Sequence, residues 1–230
     1  MKYIRKAQDR GVVDFGWLQS KHSFSFGSYY DPSHVGVSVL RVINDDTVMP
    51  GKGFGEHGHN DMEILSYVIE GTLQHKDSTG NSYVVPAGDV QRMSAGRGVT
   101  HSEFNASNTD KVKFLQIWIE PNVSGIEPSY EQKSFPKKDN LTLLVSQNGD
   151  DGSLSINQNV MISRLVLEKN QNIRLCSELG MGYLHLIKGQ IMVDEQVFNQ
   201  GDAFTIEPDK TLVVKADTSI EALWFDLPLV

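Results

Sequence analysis

The chain has 230 residues, 39% of them apolar and 22% charged, which is enough apolar content for a sizeable core and excludes a disordered chain. Its 21 Lys and Arg against 29 Asp and Glu leave a net charge of −8, so no basic field spreads over the molecule to attract nucleic acid or anionic lipid. A single cysteine, Cys176, excludes an internal disulfide. The polar stretch Met1 to Arg10 lacks the apolar segment of a secretion signal, and no apolar run approaches the roughly 20 residues of a membrane helix, so a cytoplasmic protein is expected.

Short apolar segments bounded by turn residues recur along the chain and predict an all-β protein. In chain order, the first set of predicted strands covers Val35 to Ile43, Glu63 to Glu70, Thr72 to His75, Ser82 to Val85, Val90 to Ser94, Thr100 to Asn105 and Lys111 to Ile119. The second covers Met161 to Glu168, Asn172 to Leu175, Tyr183 to Lys188, Gln190 to Val193, Ala203 to Ile206, Thr211 to Ala216 and Ile220 to Phe225. Between them, Pro121, Pro128, Pro136 and the run Lys137-Lys138-Asp139 mark a linker near Gln132 to Asn140, with a short surface helix conceivable within Ile126 to Gln132.

The two sets are copies of one unit. Tyr67 to Leu73 matches His185 to Ile191, with Gly71 on Gly189, and Ala87-Gly88-Asp89-Val90 matches Gln200-Gly201-Asp202-Ala203. The paired glycines stand 17 residues apart in the first copy and 12 in the second, a difference a longer hairpin loop absorbs. The expected division is therefore a first domain over residues 1–131 and a second over residues 132–230.

Two i, i+2 pairs carry the chemistry. His57 and His59 in Glu56-His57-Gly58-His59, and His101 and Glu103 in His101-Ser102-Glu103, each put two donor side chains on one face of an extended strand. Facing inward in one barrel, they would supply three imidazoles and one carboxylate, a set suited to Fe(II), Mn, Ni, Cu or Zn rather than Ca²⁺, and one that leaves coordination positions open. A lone histidine usually just caps or hydrogen-bonds; four ligand types in two same-face pairs point to a metal. The second copy serves as a control. Counting from its glycines puts Leu175 and Ser177 where His57 and His59 stand, and Val214 at the place of His101, so one metal per chain is expected, in the first copy.

His34, His75 and His185 read as ordinary structural histidines, and Glu63 as a carboxylate that orients an imidazole. Cys176 reads as buried or half-buried, Phe24, Phe26, Tyr29 and Tyr30 as strand packing, and Trp17, Trp118 and Trp224 as core.

Taken together, these residues resemble the pirins, two-lobed members of the cupin superfamily. The likeness rests on His22 to Pro32, on Leu40 to Asp46, on His57 and His59, and on Val90 to Gly96 leading to His101 and Glu103. Two features depart from a general cupin: the glycine after Glu63 lies eight residues on, and Gln91 occupies the place of a histidine that His101 replaces. Both are pirin-like, and the resemblance implies the ligand set His57, His59, His101 and Glu103.

It also implies two tandem cupin barrels, of the double-stranded β-helix or jelly-roll type, with few short helices. Bacterial members similar to this chain are quercetin 2,3-dioxygenases, which open a flavonol with O₂ and release carbon monoxide, so the implied cofactor is one divalent transition metal. Fe(II) comes first, with Mn, Ni, Co, Cu or Zn as the others. In that reading Glu103 doubles as the catalytic base, and the partners are a flavonol and O₂, with neither nucleic acid nor membrane. Animal pirins are iron-containing nuclear cofactors of transcription, which implies the alternative of a redox- or metal-responsive regulator that binds a protein partner.

Overall fold

A computed structural model describes residues 1, 3–138 and 140–230. Asp139 of the predicted linker lies outside the described residues. The chain forms two compact units. One comprises Gly11–Phe135 with Ile156–Gln158, the other Met1–Arg10, Pro136–Ser155 and Asn159–Val230. Among the described residues the helices are two single 3₁₀ turns, at Ala7–Asp9 and Asp150–Gly152, and no helix is long and apolar enough to cross a membrane.

In the first unit a seven-stranded antiparallel sheet runs in the order Ser129–Ser134, Asp89–Ser94, Glu63–Glu70, Val112–Ile119, Leu40–Val48, Leu18–His22, Gly11–Asp14. A four-stranded antiparallel sheet has the order Gly53–His59, Val99–Asn105, Thr72–Asp77, Ser82–Pro86. The second unit repeats this plan. Its larger sheet contains Ala203–Ile206, Gly180–Lys188, Ile220–Pro228 and Met161–Leu167 in that order, and its smaller one Asn172–Cys176, Thr211–Ala216, Gln190–Val193 and Gln196–Asn199. The strands are rich in β-branched and aromatic residues and alternate buried with exposed positions, as in Thr211–Ala216, which fits a sheet with one face packed on a core.

The repeat is anchored by turns that only glycine makes without strain. Gly71 and Gly189 both have positive φ, 75° and 87°, and a Cβ there would lie 2.7 Å from the Lys111 carbonyl and 2.5 Å from that of Ser219. The matching of the two glycines in sequence is therefore a matching of hairpin geometry.

Several elements differ from expectation. The strand predicted at Val35 to Ile43 runs instead over Leu40–Val48, since the segment before it turns at Gly36 and Ser38, both with positive φ. No helix forms within Ile126 to Gln132; Ser129–Ser134 is a strand because it pairs along Asp89–Ser94. The run from Phe24 to Tyr30 turns tightly, with a bridge between Phe26 and Tyr29, rather than extending. Met1–Arg10 belongs to the second unit, where Ile4 and Arg5 pair with Phe204 and Ala203, so the units do not follow one cut near residue 131.

Inside the first unit a polar layer lies between apolar ones. Along one face of Glu63–Glu70 the row reads Ile64, Ser66, Val68, and along Val112–Ile119 it reads Phe114, Gln116, Trp118. Val68 and Phe114 belong to one apolar cluster, while Ile64 belongs to another that Trp118 packs against. The polar members of these rows are where the candidate site is built.

Candidate metal centre

The strand Gly53–His59 lies at the edge of the smaller sheet and pairs with Val99–Asn105, placing His57 opposite His101 and His59 opposite Val99. Between His57 and Phe54 the ladder slips by one residue, a bulge of the kind that re-aims side chains beside functional sites. The close approach of the two strands depends on Gly53, where a Cβ would fall 2.3 Å from the Glu103 carbonyl.

This pairing brings three imidazoles together. Their ring centroids are separated by 4.8 Å for His57 and His59, 4.5 Å for His57 and His101, and 4.9 Å for His59 and His101. The Nε2 atoms of His59 and His101 face each other at 3.0 Å. His57 Nδ1 lies 2.8 Å from the Gly55 carbonyl, which fixes the proton on that nitrogen and leaves Nε2 as the lone-pair donor. Burial, helped by the neighbouring imidazoles, pushes the pKa of His59 down to about 4 and that of His101 to about 3. Both rings are therefore neutral at pH 7, as ligation requires.

Glu103, on the same strand face as His101, is buried within a cage of donors. Ser66 Oγ at 3.0 Å and Gln91 Nε2 at 2.7 Å donate to Oε1, and Gln116 Nε2 at 2.6 Å donates to Oε2. His57, His59 and His101 can offer ligand atoms within 4.8 Å of one another; Glu103 forms a second such group with His101 and His75. The donor set suits a borderline divalent ion: neutral nitrogens aimed at a common region, with a carboxylate beside them.

His75 is completely buried. Its Nε2 donates to Asp77 at 3.0 Å, and its ring lies 5.4 Å from His101 and 4.6 Å from Tyr130. Burial alone would push the Asp77 carboxyl up, but hydrogen bonds from His75, Thr79 and Asn81 outweigh it and hold the pKa at about 2. Asp46 has the opposite balance: burial outweighs a hydrogen bond with Ser20 and, reinforced by Asp45 and Glu103, pushes it up to about 7.

A cavity of about 250 Å³ opens beside the histidines, lined by Phe26, Asn44, Asp46, Phe54, His57, His59, Glu103, Gln116 and Trp118. Trp118 packs edge-on against both His59, at 5.0 Å, and Phe26, at 5.3 Å, and so walls the site as well as filling core. Glu63 does not orient an imidazole; its oxygens accept from Ser94 Oγ at 2.9 Å and Asn157 Nδ2 at 3.0 Å. His34 sits in a loop 3.9 Å from Asp31, and His185 is buried in the second unit. Cys176 is exposed, because its strand alternates and Leu175 takes the inward position.

Sequence reading missed Ser66, Gln91 and Gln116. Gln91 carried a signal, since it stands where a general cupin has a histidine; Ser66 and Gln116 carried none, because only strand pairing brings them to Glu103.

The second unit holds the same ladder positions with apolar side chains. Asn105 pairs with Leu73, two residues past Gly71, as Ala216 pairs with Ile191, two past Gly189. Stepping back along each strand puts Leu212 at the place of His101 and Val214 at that of Glu103, which corrects by two residues the count that set Val214 against His101. Leu175 pairs with Leu212 as His57 pairs with His101. Likewise Leu184 pairs with Phe204 and Trp224 as Ser66 pairs with Gln91 and Gln116. Leu175, Leu184, Phe204, Leu212, Val214 and Trp224 all belong to one buried apolar cluster. One barrel carries a polar layer, and its copy has closed that layer into core.

Family models describe the same two halves: residues 4–119 match the pirin model and residues 143–227 the quercetinase C-terminal cupin domain. The chain is 44% identical over 229 residues to a quercetin 2,3-dioxygenase of Escherichia coli K12, covering 99% of each chain. It superposes on the crystal structure of YhhW from Escherichia coli with a TM-score of 0.96 at 43% identity, covering 99% of this chain and 98% of that one. The bacterial pirin YhhW in complex with nickel(II), also from Escherichia coli, matches with a TM-score of 0.95 at 43% identity over 99% of both chains. With its two tandem cupin barrels and its histidine cluster confined to the first, this chain belongs to the pirin family.

Proposed function

We propose that the protein is a metal-dependent dioxygenase that opens flavonols such as quercetin with O₂ and releases carbon monoxide. The observation that carries this reading is the convergence of His57, His59 and His101 at the wall of an aromatic-lined cavity, beside the buried carboxylate of Glu103. The naming of its Escherichia coli relative as a quercetin 2,3-dioxygenase supports the same substrate class.

In this reading His57, His59, His101 and Glu103 hold one divalent metal, with Fe(II) first and Mn, Ni, Co, Cu or Zn as the alternatives. Such an ion supplies Lewis acidity toward the oxygens of a chelating substrate. The remaining work falls to the chain. Phe26, Phe54 and Trp118 pack against the flat rings and keep water away from them. When substrate arrives Glu103 gives up its place as a ligand and takes the proton of the flavonol 3-hydroxyl, and the donors from Ser66, Gln91 and Gln116 keep its carboxylate close by while it does so. The cavity, about 250 Å³, is slightly below the usual range of small-molecule sites, so it takes one end of a flavonol while the other extends past the exposed His57.

The test is to load the protein in turn with Fe(II), Mn, Co, Ni and Cu and follow quercetin absorbance and carbon monoxide in air and under argon. Oxygen-dependent loss of the flavonol band with release of the gas is expected. No such loss with any of the metals would overturn the assignment.

A further inference from the structure

The strand Leu40–Val48 turns Val42, Asn44, Asp46 and Val48 toward the interior, and two of these, Asn44 and Asp46, reach the cavity. Both side chains are at least nine-tenths buried, with relative exposures of 3% each. Asn44 Oδ1 and Asp46 Oδ1 have no hydrogen-bond partner within the protein, the one side-chain hydrogen bond of the Asp46 carboxyl being with Ser20. Gln116 lines the same cavity and pairs with Asn44 in the ladder, yet its amide is turned to neighbours within the protein, Nε2 donating to Glu103 and Oε1 lying 3.3 Å from Ser66 Oγ. The cavity thus has two kinds of polar wall: one satisfied internally, and one whose acceptors are aimed inward with nothing to bind.

Buried acceptors without donors are disfavoured unless something completes them. Water could do so, but Phe26, Phe54 and Trp118 make much of the remaining lining aromatic, which suits a flat ring better than a water cluster. Two neighbouring acceptors on an apolar-walled slot call for a flat ligand bearing hydroxyl donors.

We propose that Asn44 and Asp46 form a hydroxyl-recognition subsite, accepting hydrogen bonds from phenolic hydroxyls on the ring that enters the cavity and so fixing which end of the substrate goes in. This rests on the flavonol reading above and adds to it the basis for choosing among flavonols. Asn44 and Asp46 act as specificity-determining residues, at a distance from any bond that breaks.

The test compares anaerobic binding of 3-hydroxyflavone and 3,5,7-trihydroxyflavone, which differ only in ring hydroxyls, to Ni(II)-loaded and metal-free protein by quenching of tryptophan fluorescence. Wild type is expected to bind the trihydroxy compound about ten-fold more tightly, as for a hydrogen bond to a buried acceptor. Asp46→Leu and Asn44→Leu, which remove the acceptor oxygens, should each shrink that ratio toward one. Equal binding of the two compounds by wild type overturns the subsite and needs no variant to fold. A ratio unaltered in correctly folded variants overturns it as well. Failure of wild type to bind either compound overturns the flavonol reading and this one with it, so the two failures are distinct.

Discussion

Gln91 Nε2 lies 2.7 Å from Glu103 Oε1, so the side chain that occupies the histidine position of a general cupin here serves the carboxylate. The substitution is coupled to the rest of the layer, because Gln91 pairs with Ser66, and Ser66 with Gln116, across neighbouring strands. Glu103 receives its donors from three different strands, none adjacent to its own. Removing any one leaves a buried acceptor short of a partner.

Gln91→Ala and Gln116→Ala should each lower thermal stability by about 1–3 kcal/mol. Each should also weaken metal retention about 10–100-fold, because a freed carboxylate no longer holds its orientation. Differential scanning calorimetry and metal content by mass spectrometry check the two effects separately. Glu103→Gln tests the proton role: the variant should lose turnover of quercetin, and retention of both metal and wild-type rate would remove that role.

Alanine at His57, His59 or His101 should abolish stoichiometric metal binding, whereas His34→Ala, in a loop beside Asp31, should leave it intact. The stabilisation by metal provides an independent readout. At a free metal concentration 100 times the Kd, wild type should gain about 2.7 kcal/mol, visible as a rise in melting temperature that the three site variants lack.

The depressed histidines make the metal-free protein acid-sensitive. His59 and His101 titrate at about 4 and 3 in the fold but near 6.5 in the unfolded chain, so below 6.5 the unfolded state binds more protons and stability falls with pH. Asp46 acts in the opposite sense between 3.8 and 7, since its folded carboxyl is the better proton acceptor. The contribution of His101 is isolated by comparing wild type with His101→Leu, which carries the residue found at the equivalent position of the second unit. Between pH 6.5 and pH 5 the variant should be spared on the order of 2 kcal/mol of the loss, measured by urea denaturation at each pH.

The second unit offers the reverse experiment. Leu175→His and Leu212→His place imidazoles at the ladder positions of His57 and His101, but among Leu184, Phe204, Val214 and Trp224. The single variants should each cost about 2–4 kcal/mol, and the pair should gain no metal, because the polar partners of the first unit have no counterparts there. Chemical denaturation and metal titration of the double variant decide it.

Composition, hydrophobic spacing and the glycine repeat were enough to specify a duplicated β protein, and the i, i+2 spacing put His57 with His59, and His101 with Glu103, on common strand faces. Those features are local: a strand has a period of two whatever it pairs with, and a turn that needs positive φ selects glycine wherever it occurs. What tertiary structure alone decided is which rows meet. The bulge that sets His57 against His101, the cage around Glu103, the diversion of Glu63 to Ser94 and Asn157, and the unpartnered oxygens of Asn44 and Asp46 all depend on strand register between segments distant in sequence. A slip of one residue in any of those ladders would turn the same side chains to the other face, and nothing within a single strand records the register its neighbour adopts.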